Sequence, residues 1–258
     1  MRTIALITDF GIKDPYVGAM KGVILSINPE AKIVDISHEI IPFHPISAAY
    51  VLSGVMDYFP RGTIFLTVVD PGVGTDRKIL LISSEGKYYI GPDNGVFAPV
   101  YQRPEEPTVY EVTETHFFLP EPSSTFEARD KMAPVAAWLS KGIPVERFGT
   151  RTENYRKFKL PQPKREGNKI RGIVIHVDRF GNLALNIRQE DLGNKKILFG
   201  SIKGVKISHF ARTFMEIPPN ELAFVINSFG YLEIAVRMGS AAQVLNAGIG
   251  EPVELFLS

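Results

Sequence analysis

Two hydrophobic rhythms run along this chain, and the change from one to the other divides it. Residues Thr3–Thr8 are apolar and β-prone without alternation, the pattern of a strand covered on both faces of a parallel sheet. They lead into Asp9-Phe10-Gly11, after which Met20, Val23, Ile24 and Ile27 recur at helical spacing until Asn28-Pro29. The order then repeats: 32–36 predicts a strand, 46–58 a helix with Ala49, Leu52, Val55 and Met56 on one face, and 63–69 a second wholly apolar strand. Residues 79–83 and 88–90 flank Glu85-Gly86 as a hairpin, and 133–139 forms a further helix stopped at Gly142. This alternation predicts an α/β domain with a layered, mostly parallel sheet over residues 1–150.

Residues 151–170 are expected to form a linker. Eight of residues 151–171 are Lys or Arg, and Pro161 and Pro163 lie close together. A basic clamp and a solvated interdomain linker both fit such a stretch; the prolines and the neutral whole-chain charge favour the linker. Beyond it the helical period is gone. Segments 171–177, 183–187, 197–199, 221–227, 232–237 and 253–257 read as short strands between Gly, Asn and Pro, predicting a smaller all-β domain, sandwich or barrel, over 171–258. At roughly ninety residues this domain is near the lower limit for an independent core, so it is expected to lean on the first domain or on a neighbouring subunit.

Composition narrows the chemistry. The 258 residues are 45% hydrophobic and 22% charged, which excludes a disordered chain. Twenty-nine Lys and Arg against 28 Asp and Glu leave a charge of +1, so neither nucleic acid nor an anionic membrane is an expected partner. No run of about eighteen apolar residues is present, and MRTIALITDF reaches a carboxylate before it could form a signal-peptide core; a cytoplasmic location is expected. The lack of cysteine removes disulfides, thiolate metal sites and a thiol nucleophile. The five histidines, His38, His44, His116, His176 and His209, show no zinc-site spacing, so no metal is expected and each reads as a structural residue. There is no G-x-S-x-G nucleophile elbow.

Three carboxylates follow apolar strands: Asp9, Asp70, and Asp93 within Gly91-Pro92-Asp93-Asn94-Gly95. Ligands of open α/β sheets sit beyond the carboxyl ends of the strands, which points Asp9 and Asp70 at one crevice. A carboxylate there suits vicinal ribose hydroxyls, accepting a charge-assisted hydrogen bond from each; for an isolated Asp, capping the next helix or turn is the favoured reading. The loop from Val69 through Gly72 and Gly74 to Arg77 lacks both the G-K-[ST] ending of a P-loop and the dinucleotide G-x-G-x-x-G, so a phosphate site is not predicted.

Taken in order, Thr8-Asp9-Phe10-Gly11, Val69-Asp70-Pro71-Gly72-Val73-Gly74, Gly91-Pro92-Asp93-Asn94-Gly95, Ser124-Thr125-Phe126, Asp178-Arg179-Phe180-Gly181-Asn182-Leu183, and the run from Asn227 to Ala235 resemble the S-adenosyl-L-methionine (SAM) hydroxide adenosyltransferase family. These are the SAM hydrolases, related to fluorinase and chlorinase. The resemblance covers nearly the whole chain. It implies an α/β domain followed by a β domain, and a homotrimer whose active sites each lie between one subunit's N-terminal domain and its neighbour's C-terminal domain. The implied reaction turns SAM, as substrate and with no further cofactor, into adenosine and methionine. Family members surround the attacking water with Asp, Arg and His. Asp70 and Arg77 match the first two, but S-T-F-H-G-R-D reads here as Ser124-Thr125-Phe126-Glu127-Ala128-Arg129-Asp130, so Glu127 stands in the His position. The resemblance further assigns Asp9 to the ribose diol, Asp178 to the methionine ammonium and Asn182 to the adenine edge. Ser228, Glu233 and Val236 fall at the adenosine end. Without those motifs, Asp178 and Asn182 would read as the shapers of a β-turn. Two alternatives stay open on Glu127: retained hydrolysis, or a SAM or adenosine binder that turns over weakly. A halogenase is disfavoured, because two carboxylates repel halide.

Overall fold

The computed structural model describes residues 2–258, and the chain divides between Lys159 and Leu160, inside the stretch expected as a linker. The first unit holds strands β1 (Thr3–Thr8), β2 (Lys32–Ser37), β3 (Ile64–Val68), β4 (Ile79–Ser84), β5 (Lys87–Pro92), β6 (Thr108–Val112) and β7 (Gly149–Arg151), in spatial order β2-β1-β3-β5-β4-β6-β7. Strands β2, β1, β3 and β5 are parallel neighbours, whereas β4, β6 and β7 join antiparallel. The sheet is therefore mixed, which corrects the mostly parallel sheet expected from the alternation. The cause is local: Glu85 and Gly86, both at positive φ, turn β4 straight back into β5, and a two-residue turn joins only antiparallel strands.

Helices α1 (Tyr16–Ile27), α2 (Pro45–Val55), α3 (Ala98–Tyr101) and α4 (Ala133–Ser140) complete the unit. Ile4 and Leu6 of β1 pack with Met20 and Ile24 of α1 and with Val135 of α4, while Ala5 and Ile7 pack with Ala48 and Leu52 of α2. Successive side chains of a strand point to opposite faces, so burial on both sides explains why β1 shows no polar alternation. The helix expected over 46–58 ends at Val55 and finishes as a 3₁₀ turn, Met56–Tyr58.

The second unit contains β8 (Lys164–Glu166), β9 (Lys169–Val177), β10 (Leu183–Arg188), β11 (Ile197–Ile202), β12 (Val205–Ile207), β13 (His209–Phe210), β14 (Leu222–Ile226), β15 (Tyr231–Val236) and β16 (Pro252–Leu257), with short helices α5 (Gln189–Leu192) and α6 (Ala241–Leu245). They form one sheet in the order β12-β11-β16-β9-β10-β15-β14-β13, with β8 paired to β9. Strand β12 comes back against β14, so the sheet is barrel-like and nearly closed around Val174, Leu185, Phe224, Ile234 and Leu255. Part of the stretch expected as a linker is thus strand. Among the described residues no helix is long and apolar enough to cross a membrane.

Candidate active site

Adjacent parallel strands deliver the first two carboxylates. Thr8 at the end of β1 pairs with Val68 at the end of β3, so Asp9 and Asp70 leave the sheet side by side. They face a cleft of about 390 Å³, within the ~300–1,000 Å³ usual for small-molecule sites, whose walls include Tyr16, Phe43, Phe126 and Glu127. The rings of Phe10, Tyr16 and Phe126 pack mutually, with centroids 5.3–5.9 Å apart. Asp9 accepts the N–H of Phe43 at 3.0 Å. Burial raises its carboxyl above the ordinary value; the Phe43 N–H counteracts the rise and the charge of Asp70 adds to it. Behind it, Thr8 Oγ1 lies 2.8 Å from His38 Nδ1, and His38 Nε2 lies 3.0 Å from Asp35, so His38 braces the strand end.

The loop after β3 folds around Asp70. Its Oδ1 accepts the Gly72 N–H two residues on, the turn-capping role, while Arg77 Nε donates to both oxygens at 3.0 and 2.8 Å and Nη2 to Oδ2 at 2.5 Å. The same Nη2 donates to Glu127 Oε2, and Lys131 Nζ donates to Glu127 Oε1 at 2.5 Å. The side chains of Asp70, Arg77 and Glu127 are only 5%, 6% and 7% exposed, so this ion network is screened little by water. Burial opposes the charge on Glu127, yet Lys131 and Arg77 outweigh it and hold the carboxyl below its usual range.

Two contacts set the loop's position. Gly74 sits at φ +78°, where a Cβ would lie 2.6 Å from the Ser124 carbonyl oxygen, so glycine lets the loop of Asp70 touch the loop of Glu127. The turn after β5 clamps both loop ends: Asn94 Nδ2 donates to Val69 O at 2.8 Å and the Asp93 N–H to Lys78 O at 2.9 Å. Asp93 itself is buried and accepts the Arg156 N–H with both oxygens. Its role is to hold chain.

In the second unit, Asp178 and Asn182 close the β9–β10 turn. Asp178 Oδ1 accepts the N–H groups of Phe180 and Asn182 at 2.9 and 2.8 Å, and Oδ2 accepts Asn182 Nδ2 at 2.8 Å. Gly181, at φ +82°, has Ser240 Oγ where a Cβ would stand. Glu233 of β15 and His176 of β9 both pair with Ala184 of β10. Glu233 accepts from Asn227 Nδ2 at 3.0 Å; burial raises its carboxyl and Asp178 raises it further. Burial lowers His176, an effect that Asp178 partly offsets. Ser228 is exposed in the turn after β14, and Val236 ends β15 with its carbonyl accepting the Gly239 N–H at 3.2 Å. Sequence reasoning did not single out Lys131 or count His176 among the site residues. The i,i+4 spacing of Glu127 and Lys131 was the available signal for the first.

Comparison with known proteins supplies what geometry does not. Residues 4–149 match the SAM hydroxide adenosyltransferase N-terminal domain, and residues 172–254 match the C-terminal domain of the same name. An (R)-S-adenosyl-L-methionine hydrolase from Methanocaldococcus jannaschii is 36% identical, covering 98% of this chain and 95% of that protein. One from Thermus thermophilus is 35% identical over 99% and 100%. A fluorinase from an Actinoplanes species is more distant, at 27% over 96% and 95%. A crystal structure of an uncharacterized conserved protein from Thermotoga maritima superposes with a TM-score of 0.89 at 38% identity, covering 98% of this chain and 99% of that one.

Proposed function

Since this chain belongs to the SAM hydroxide adenosyltransferase family, we propose that it hydrolyses S-adenosyl-L-methionine to adenosine and methionine, water attacking the ribose C5′. The observation that carries this reading is the buried Asp70–Arg77–Glu127 set beside Asp9 at the ends of β1 and β3. Methionine departs from a sulfonium as a neutral thioether, so no general acid and no further cofactor are required. The protein has to hold the water in line with the C5′–S bond and strip its other partners away. Asp70 and Glu127 orient the water by accepting from it, one of the two carboxylates takes the proton the water loses as the C5′–O bond forms and the C5′–S bond breaks, and Arg77 cancels enough of their charge to let an electron-rich nucleophile approach. Asp9 takes the ribose diol.

The remaining ligand contacts are proposed to come from the C-terminal domain of a neighbouring subunit in a homotrimer. Asp178 faces the methionine ammonium; Asn182, whose Nδ2 is spent on Asp178, offers Oδ1 to the adenine amino group; Ser228, Glu233 and the Val236 backbone line the adenosine end. The substrate epimer is the (R) form that the relatives' names specify. A second reading, a binder of SAM or adenosine with weak turnover, draws on one observation: both oxygens of Glu127 are already held by cations.

Incubating the protein with (R)- and (S)-enriched SAM, with and without chloride or fluoride, separates the readings by product. Adenosine formed faster from the (R) epimer is expected. Unchanged SAM with measurable affinity selects the binder, and a 5′-halo-adenosine selects a halogenase.

A further inference from the structure

Glu127 caps the start of a single π turn, Ala128–Met132, that carries Lys131 within it and in which the Ala133 N–H donates to Ala128 O five residues back. Such turns are uncommon and concentrate at functional sites. Here the turn brings Lys131 Nζ to Glu127 Oε1, while Glu127 Oε2 meets Arg77. The four groups Asp70, Arg77, Glu127 and Lys131 make a chain of alternating sign whose charges sum to zero. Lys131 is anchored from outside: its ammonium lies 5.8 Å from the centre of the Phe118 ring, and its side chain is 25% exposed against 7% for Glu127.

We propose that Lys131 is a positioning residue of the reaction: by gripping one oxygen of Glu127 from four residues on, it leaves the other aimed at Arg77 and so fixes the guanidinium that holds Asp70 at the cleft. Without the ammonium, Glu127 would be a buried carboxylate whose one remaining cation partner is the guanidinium it already shares with Asp70. The geometry also makes Glu127 and Lys131 a unit, so that neither is exchanged alone without stranding the other. The charged groups around Glu127 are Arg77 and Lys131 in direct contact, with Asp70 beyond Arg77 and Asp130 beside Lys131.

The rate part of this proposal rests on the hydrolysis reading; the positioning part does not, and two measurements keep them apart. Lys131→Met is expected to lower kcat on SAM roughly tenfold or more with little change in KM, and Lys131→Arg to recover most of it. In parallel, the side-chain carboxyl carbon of Glu127 is followed by NMR through an acid titration and assigned from its loss in Glu127→Gln. In Lys131→Met its midpoint should rise by about one pH unit or more, and Lys131→Arg should restore it. An unmoved midpoint overturns the proposal, as does a parent-like kcat and pH profile in a Lys131→Met protein that makes adenosine. Should the parent protein itself form no adenosine, the hydrolysis reading fails while the titration still decides what Lys131 does.

Discussion

Arg77 meets Glu127 with the nitrogen it also gives to Asp70, so a single Nη2 stands between the two carboxylates. Loss of charge on either side shifts the guanidinium towards the other. Glu127→Gln should therefore lower turnover on SAM by roughly 10²-fold while adenosine affinity, measured by calorimetry, changes little. Hydrolysis at the parent rate would make Glu127 a bystander and leave the water to Asp70 alone. The family's own residue, introduced as Glu127→His, should give a rate at or above the parent's only together with Lys131→Met, with Ala128→Gly to free the backbone.

Asp9→Asn replaces a carboxylate that can accept from two hydroxyls with a group that is half donor. Adenosine affinity should fall several-fold or more, with the thermal unfolding midpoint close to the parent's. Unaltered affinity would remove Asp9 from the ribose site.

Gly74→Ala tests the contact between the two loops. The substitution meets both a left-handed φ and the Ser124 carbonyl, so it should cost about 1–3 kcal/mol in denaturant unfolding. Turnover should fall too, because the strain is relieved by moving the loop that carries Asp70 and Arg77. Parent-like stability and rate would show that the loops tolerate separation.

The acid limb of stability follows from Glu127. Its folded carboxyl titrates below the ordinary 4.5, so its contribution is fully present above that pH and is lost as pH falls through the folded value. Urea midpoints taken from about pH 6 to about pH 3 should drop further for the parent than for Glu127→Gln. Equal drops would mean that the network adds nothing to folding.

Assembly is expected to accompany activity. Sedimentation at assay concentration should show a trimer, and a fully active monomer would refute ligand contacts shared between subunits.

Much of the first unit is legible in its sequence because its strands and helices carry strong periodic signals. Strands β1 and β3 are apolar on both faces, and the Glu85-Gly86 turn announces its hairpin. What escaped are β6 and β7: the first follows a Pro- and Glu-containing loop, and the second is three residues long, too short for a period to show. Those two antiparallel strands, with β4, are what make the sheet mixed. In the site, the neighbouring ends of β1 and β3 foretell that Asp9 and Asp70 come together, since strand ends map directly onto position. The grip of Lys131 on Glu127 has the ordinary i,i+4 spacing of a helix, but the π turn that carries Lys131 reads in the sequence as the start of α4. Asp93 shares the strand-end placement of the other two carboxylates, and its oxygens accept the Arg156 N–H.

The pairing of Thr8 with Val68 has an evolutionary side. Asp9 follows Thr8 directly and Asp70 stands two residues beyond Val68, so strands about 4.8 Å apart bring the two carboxylates to the same end of the sheet. Insertions after Phe10 would reshape a wall of the cleft while leaving the ends of β1 and β3 in place, whereas Val73 lies within the loop by which Arg77 grips Asp70. Such a chain can change what it admits without relearning where to hold it, and a library varied only in the loop after Phe10 would sample new sulfonium or nucleoside substrates on a fixed ruler.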